Sequence, residues 1–465
     1  MGMRAARLAA AMGCVVFLSS FASKPNDWVP MRWGWTDPAS LELLSGGPVN
    51  CLLLREYSPD FLAAATAHDI VTLAVVSPNG GAADAARNAL KAGATGLALE
   101  GEFTTDALAE ITRAAGAAPV VELTSRGRLI EDRGAAILAT NQGVWPGIAL
   151  EDNGARRAGP SGSVWINTNT GFLRLVRAWS GAPLWIANDP PAKTVLPAAR
   201  YEQAIADAAI SGARWVISLD SDFAARLAAR DAKALADWRR ILAVAGYFEA
   251  HPEWRGMRES GALALIQDPA KGGVLSGGIL DMIAARHTPV RPIPADSVSA
   301  DALKGASMAV NVDGDALDAG ARDALRSFTR GGGMLLNGPP GWSDPVPDGG
   351  SITLGRAELA RLNDIWRDVN SMIGRRNLGV RLFNAASMLS NYLVSADGKT
   401  AVLHLVNYSD YPIENVTAHL LDRFRRATLL SPESAPKPLE IHVTEEASEI
   451  DIDRISICAT VLLEQ

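Results

Sequence analysis

The 465-residue chain has only three cysteines and six histidines, and a formal net charge of −7 leaves it without a basic surplus. That balance, with no run of Lys and Arg, argues against a nucleic-acid binder, which needs a basic face. The histidines show no H-x-x-x-H or H-x-H spacing, so neither a metal centre nor any other cofactor is expected. No G-x-S-x-G elbow and no strand-linked G-x-G-x-x-G occurs, which sets aside serine-hydrolase and dinucleotide chemistry. Cys51 and Cys458 fall in different predicted domains and read as buried small hydrophobes rather than a disulfide. No apolar run suits a membrane span: Leu8–Leu18 is too short for one. It follows Arg4 and Arg7 and precedes small residues around Ser20-Phe21-Ala22, the three-part pattern of a secretory signal over residues 1–22. An exported, periplasmic or extracellular protein is therefore expected. Cys14 lies inside the apolar run, so lipid anchoring is the lesser alternative.

What is present is a hydrophobic content of 48%, enough for sizeable cores, on a chain long enough for two or three domains. From residue 28 to 245 a cycle repeats: a short apolar run, a polar or acidic end, an Ala-rich amphipathic stretch and a Gly return. The runs Met31–Trp35, Val49–Leu54, Ile70–Val76, Thr95–Leu99, Pro119–Leu123, Pro146–Leu150, Pro183–Ala187 and Arg214–Leu219 are nearly continuous, as parallel strands covered on both faces must be. This predicts a (β/α)8 TIM barrel; a doubly wound open sheet is the runner-up, and Val164–Asn169 reads either as a ninth strand or as part of a long sixth loop. A small doubly wound α/β domain is expected over 260–345. Its strands would be Ala262–Ile266, Val290–Ile293, Ser307–Val312 and Met334–Asn337, with helices at Gly278–Arg286 and Ala319–Thr329. A Pro/Gly-rich link (Gly338–Gly350) and a helix (Arg356–Met372) lead to short β-rich runs over 378–465, an antiparallel β-sandwich.

A barrel keeps its chemistry at the C-terminal strand ends. There the sequence places Glu100 after the fourth strand, Glu122 within the fifth, Glu151 after the sixth, Asp189 after the seventh and Asp220 after the eighth. Closely set carboxylates push one another's proton affinities apart, which supplies the acid and the base or nucleophile that glycoside hydrolysis needs. Glu100 is the candidate acid, and Glu151 or Asp189 the base or nucleophile. The competing assignment for each is a helix cap or an arginine partner. Trp33, Trp35 and Trp165, with Glu122, Asn167 and Asp220, are candidate sugar contacts, because an indole face packs on the C–H face of a sugar ring. Asn169 accompanies Asn167 in that loop.

The order barrel, α/β unit, β-domain resembles the family 42 β-galactosidases. The ALIQD and RDALRSFTRGGGMLLNGPP segments are similar to their amidotransferase-like trimerisation domain, and AVLHLVNYSD to their C-terminal β domain. The resemblance implies a carbohydrate substrate, an acid after the fourth strand, a nucleophile after the seventh, and a homo-oligomer, trimer or dimer. In that family an Asn precedes the acid; here Leu99 precedes Glu100, and no Asn-Glu pair occurs. A non-catalytic carbohydrate-binding or structural protein on the same scaffold is the main alternative, and a barrel lyase or deacetylase a further one.

Overall fold

A computed structural model describes residues 24–131, 134–146, 149–152, 155–158, 168–268, 286–311, 316–337, 356–385 and 387–465. The predicted leader, most of Val164–Asn169, the helix Gly278–Arg286 except its last residue, and the Gly338–Gly350 link lie outside them.

Eight parallel strands form one sheet in chain order: β1 (Pro30–Trp33), β2 (Cys51–Leu54), β3 (Val71–Val76), β4 (Gly96–Glu100), β5 (Val120–Thr124), β6 (Leu138–Thr140), β7 (Leu184–Ile186) and β8 (Arg214–Trp215). A single parallel bridge, Met31 to Ile217, joins the last strand back to the first. There the Arg32 amide donates to the Ile217 carbonyl at 2.8 Å, and the Ile217 amide to Pro30 at 3.2 Å. Among the described residues eight helices alternate with or follow these strands: α1 (Pro59–Ala67), α2 (Ala82–Ala92), α3 (Thr105–Ala115), α4 (Arg126–Glu131), α5 (Thr170–Trp179), α6 (Ala198–Ala209), α7 (Ser221–Ala228) and α8 (Ala232–Glu249). Side chains of Ser58, Thr104, Asp220 and Asp231 accept the first free amides of α1, α3, α7 and α8. Cys51, Leu53, Leu73, Ala98, Val121, Leu123, Trp185, Ala187 and Val216 fill the inside of the barrel, while the alternate residues pack outward against helices.

The sixth strand is not where the sequence puts it. Leu138–Thr140 occupies that place, and Ala149–Asp152 instead pairs antiparallel with Ala155–Ala158 in a separate hairpin. Only three residues of GAAILATN form the strand, too few to show a pattern, whereas Ala149 and Leu150 of PGIAL are strand but pair outside the barrel.

The second unit is a parallel sheet of β9 (Leu263–Gln267), β10 (Val290–Pro294), β11 (Met308–Asn311) and β12 (Met334–Asn337), in the order β10-β9-β11-β12. The helices α9 (Ala319–Arg330) and α10 (Arg356–Ile373) accompany it, with apolar clusters on both faces. The third is an antiparallel two-sheet domain of β13 (Val380–Phe383), β14 (Met388–Val394), β15 (Thr400–Asn407), β16 (Ile413–Leu420), β17 (Arg426–Ser431), β18 (Ser434–Leu439), β19 (His442–Val443), β20 (Ser448–Ile455) and β21 (Cys458–Glu464). Cys51 and Cys458 are both buried and free.

The larger β-sheet lies on α6 and α8, sharing one apolar core with the barrel through Val402, Val406, Leu430 and Ile457. Its polar anchor is Asp207 of α6, which is fully buried. The Asp207 carboxylate accepts from the Tyr408 hydroxyl (2.7 Å) and from the Asn169 amide and side chain (2.9 Å each). Arg126 donates to the other end of Asn169 at 3.0 Å. Burial pushes Asp207 up to about 6 against these donors, and pulls Arg126 down to about 10.

Candidate active site at the barrel mouth

Strand alternation builds the site. Leu53, Ala98, Ala187 and Val216 point into the barrel. Two residues further along each chain come Arg55, Glu100, Asp189 and Ser218, on the same inward face but at its open rim. Arg32 joins them from β1. The chain turns away directly after Glu100 at Gly101, whose φ of +117° suits glycine, and a Cβ there would meet the Pro78 ring at 3.0 Å.

These side chains form one charged cluster. Arg32 grips Glu100 through both guanidinium ends, Nη1 at 2.9 Å to Oε2 and Nη2 to Oε1. Arg32 Nε lies 3.0 Å from Asp189 Oδ1 without an aligned N–H, so that contact is electrostatic. A single nitrogen, Arg55 Nη2, donates to Glu100 at 3.2 Å and to Asp189 at 3.0 Å. Ser218 donates to Asp189 at 3.0 Å, and Trp145 holds the Asp189 backbone carbonyl at 3.1 Å. Burial alone would raise both acids, but the hydrogen bonds and charges of Arg32 and Arg55 outweigh it, so Glu100 and Asp189 sit below the usual carboxylate range. Asp189 and Arg55 are open to solvent, with side chains 44% and 59% exposed, while Glu100 at 16% lies beneath. Above them opens a cleft of about 520 Å³, within the usual size of a small-ligand site, lined by Arg32, Arg55, Asp189 and Ser218 with Trp33, Trp35 and Lys193.

The other sequence candidates fall elsewhere. Alternation turns Glu122 to the outer face of β5, opposite Val121 and Leu123. Glu151 sits in the hairpin outside the barrel sheet, so it does not end a sixth strand. Trp165 and Asn167 lie outside the described residues. Asp220 reaches the cleft but caps α7: it accepts from the Phe223 amide (2.9 Å), the Leu196 amide (3.1 Å) and the Tyr201 hydroxyl (2.7 Å). Trp33 is buried, with its indole N–H on Ser40 at 3.3 Å and its ring edge against Trp35; the half-buried Trp35 is the more available face. Asn169 belongs to the Asp207 network. Sequence reasoning missed Arg32, Ser218 and Trp145 as parts of the site. Arg32 carried a signal: a charge within MRWGW, on a strand enclosed on both sides, must find a carboxylate. Among the described residues no group of His, Cys, Asp and Glu could hold a metal, and no helix is long and apolar enough to cross a membrane.

No protein-family model matches the chain, and no curated protein sequence does. Solved structures do. The chain is similar to α-L-fucosidase isoenzyme 2 from Paenibacillus thiaminolyticus at a TM-score of 0.61 and 11% identity, over 94% of this chain and 99% of that one. It is similar to the cold-adapted β-galactosidase from Rahnella sp. R3 at a TM-score of 0.53 and 9% identity, over 96% and 99%. At such identities the likeness is one of fold. It extends over nearly the whole chain, and the resemblance drawn from domain order holds at that level.

Proposed function

We propose that this is an exported protein of glycoside hydrolase type, acting on a glycan at the barrel mouth through Glu100 and Asp189. The observation that carries the reading is the convergence of these two acids, from the ends of the fourth and seventh strands, on one guanidinium nitrogen beneath an open cleft. A gap spanned by one nitrogen is of the order of the ~5 Å that a double-displacement pair uses. In that scheme the ionised Asp189, nearer solvent, attacks the anomeric carbon as the glycosidic C–O bond breaks. Glu100, which must first take a proton from solvent once Arg55 has moved away, gives it to the leaving oxygen and then takes one from the water that releases the sugar. Arg55 stands in the gap, so substrate must displace it. Its departure takes one of two cations from Glu100 and so raises that acid's hold on a proton. Trp35 offers a stacking face at the cleft wall.

A second reading has its own observation. Both acids are held ionised by arginine, which suits accepting hydrogen bonds from sugar hydroxyls better than giving a proton. It describes a glycan-binding barrel without turnover. Aryl-glycosides and glycans screened against the full chain, with Glu100→Gln and Asp189→Asn alongside, separate the two. Turnover that falls about 10²-fold or more in each variant supports hydrolysis. Glycan binding without turnover supports the second reading. Turnover unchanged in both variants removes the assignment to this pair.

A further inference from the structure

At the foot of the barrel, the end opposite the mouth, the three units meet around a cavity of about 400 Å³. It is lined by α5, by the turn entering β8, by the Arg258–Glu259 segment, by β10 and by β14. Five arginines reach it, Arg174, Arg177, Arg255, Arg258 and Arg291, against one carboxylate among its lining residues, Glu259. That carboxylate is already taken: it accepts from Arg174 Nε and Nη2 at 2.9 Å each, and from Asn391 at 3.2 Å. Arg255 is satisfied by Glu249. Arg177 donates to the Arg255 backbone carbonyl, and Arg258 to that of Ala396 at 3.4 Å.

Arg291 differs from all of these. Its Nε and Nη2 atoms are buried and have no hydrogen-bond partner among the described residues. The guanidinium that lines the cavity thus carries its charge without an ion-pair partner among the described residues. The strand that carries it is an edge strand, VRPIP, whose prolines lack amides, so side chains rather than backbone supply donors here. The Ser211 hydroxyl, another lining group, is buried and also lacks a partner among the described residues. Burial holds Arg291 below the usual guanidinium range, and burial and then the Arg255 charge do the same to Arg177.

We infer that this cavity binds a small molecule bearing an oxyanion, with the uncompensated guanidinium charge of Arg291 as its strongest attraction and Arg177 and Arg258 as the surrounding positive field. A bound anion would neutralise the surplus and tie barrel, α/β unit and β-domain together at one point. The inference is independent of any chemistry at the mouth.

The test uses the full chain, with sodium phosphate, sulfate or acetate titrated against chloride at constant ionic strength. Melting temperature and calorimetric binding are read together. A saturable rise with at least one of the three oxyanions is expected; phosphate and sulfate ahead of acetate mark a tetrahedral group, the reverse a carboxylate. Arg291→Met, which removes an unmatched buried charge, is expected to fold and to lose the saturable rise. Arg291→Lys keeps the charge but not the planar, multi-donor guanidinium, and is expected to bind about tenfold more weakly. Should Arg291→Met not fold, the lysine variant and Arg177→Gln carry the same comparison. No saturable response above chloride, or an equal response in the Arg291 variants, overturns the proposal.

Discussion

At the barrel mouth, Glu100 and Asp189 are matched by the cations Arg32 and Arg55; on the barrel flank, Asp207 is matched mainly by an amide and a phenol. Each carboxylate loses water, and burial pushes each upward. The difference is the partner. Full positive charges overcome desolvation and keep the mouth acids ionised, whereas neutral donors compensate Asp207 only in part and leave it near 6. The flank site is built for adhesion between units, and it is sealed. The mouth site holds its charge in the open, where a ligand can exchange partners with it.

The strongest way to break this contrast is Asp207→Ala. It strands the buried Arg126 charge and the donors of Asn169 and Tyr408, and is expected to cost about 3–5 kcal/mol in urea unfolding. A loss below about 1 kcal/mol would mean the flank network is not the anchor. The contrast sharpens with pH. Asp207 binds its proton more tightly folded than its ordinary value of 3.8 allows, so its contribution favours the native state at low pH and is lost as pH rises toward 6. Glu100 and Asp189 bind theirs less tightly when folded, so their contribution is present above the ordinary carboxylate range and disappears as pH falls through it. Melting curves of wild type minus Asp207→Asn should therefore slope downward between about pH 4 and 6, and those of wild type minus Glu100→Gln upward at lower pH. Slopes of one sign in both would refute the division. The smallest effect belongs to Arg55→Ala: this exposed pair should change stability by about 1 kcal/mol or less, while moving the acid limb of binding or turnover to higher pH. An unfolding loss as large as that of Asp207→Ala would show the mouth cluster to be structural.

Much of the fold was legible because a barrel writes its strands as continuous apolar runs with Gly returns. The sixth strand was not, since three residues of an Ala-rich segment carry too little pattern to outweigh PGIAL nearby. In the β-domain, β20 (SEIDIDRI) shows the alternation of a half-buried strand, with Ile450 and Ile452 inward and Asp451 and Asp453 outward. At the site, strand ends pointed to Glu100 and Asp189, but position along a strand does not say which way a side chain faces. Counting by two from Val121 separates Glu122 from the rim, and the same count from Ala98 and Ala187 selects Glu100 and Asp189. The arginines were less legible because their role depends on partners from strands distant in sequence.

The closing bridge of the barrel gives Arg32 a second duty. Its amide is one of the few bonds that latch β1 to the end of β8, and its guanidinium is the hub of the charged cluster above. Seam and site therefore share a residue, and neither can relax alone. A stave slipping at that joint would carry the hub with it and scatter the acids, so the barrel's thinnest join also acts as the gauge by which the mouth is kept in true.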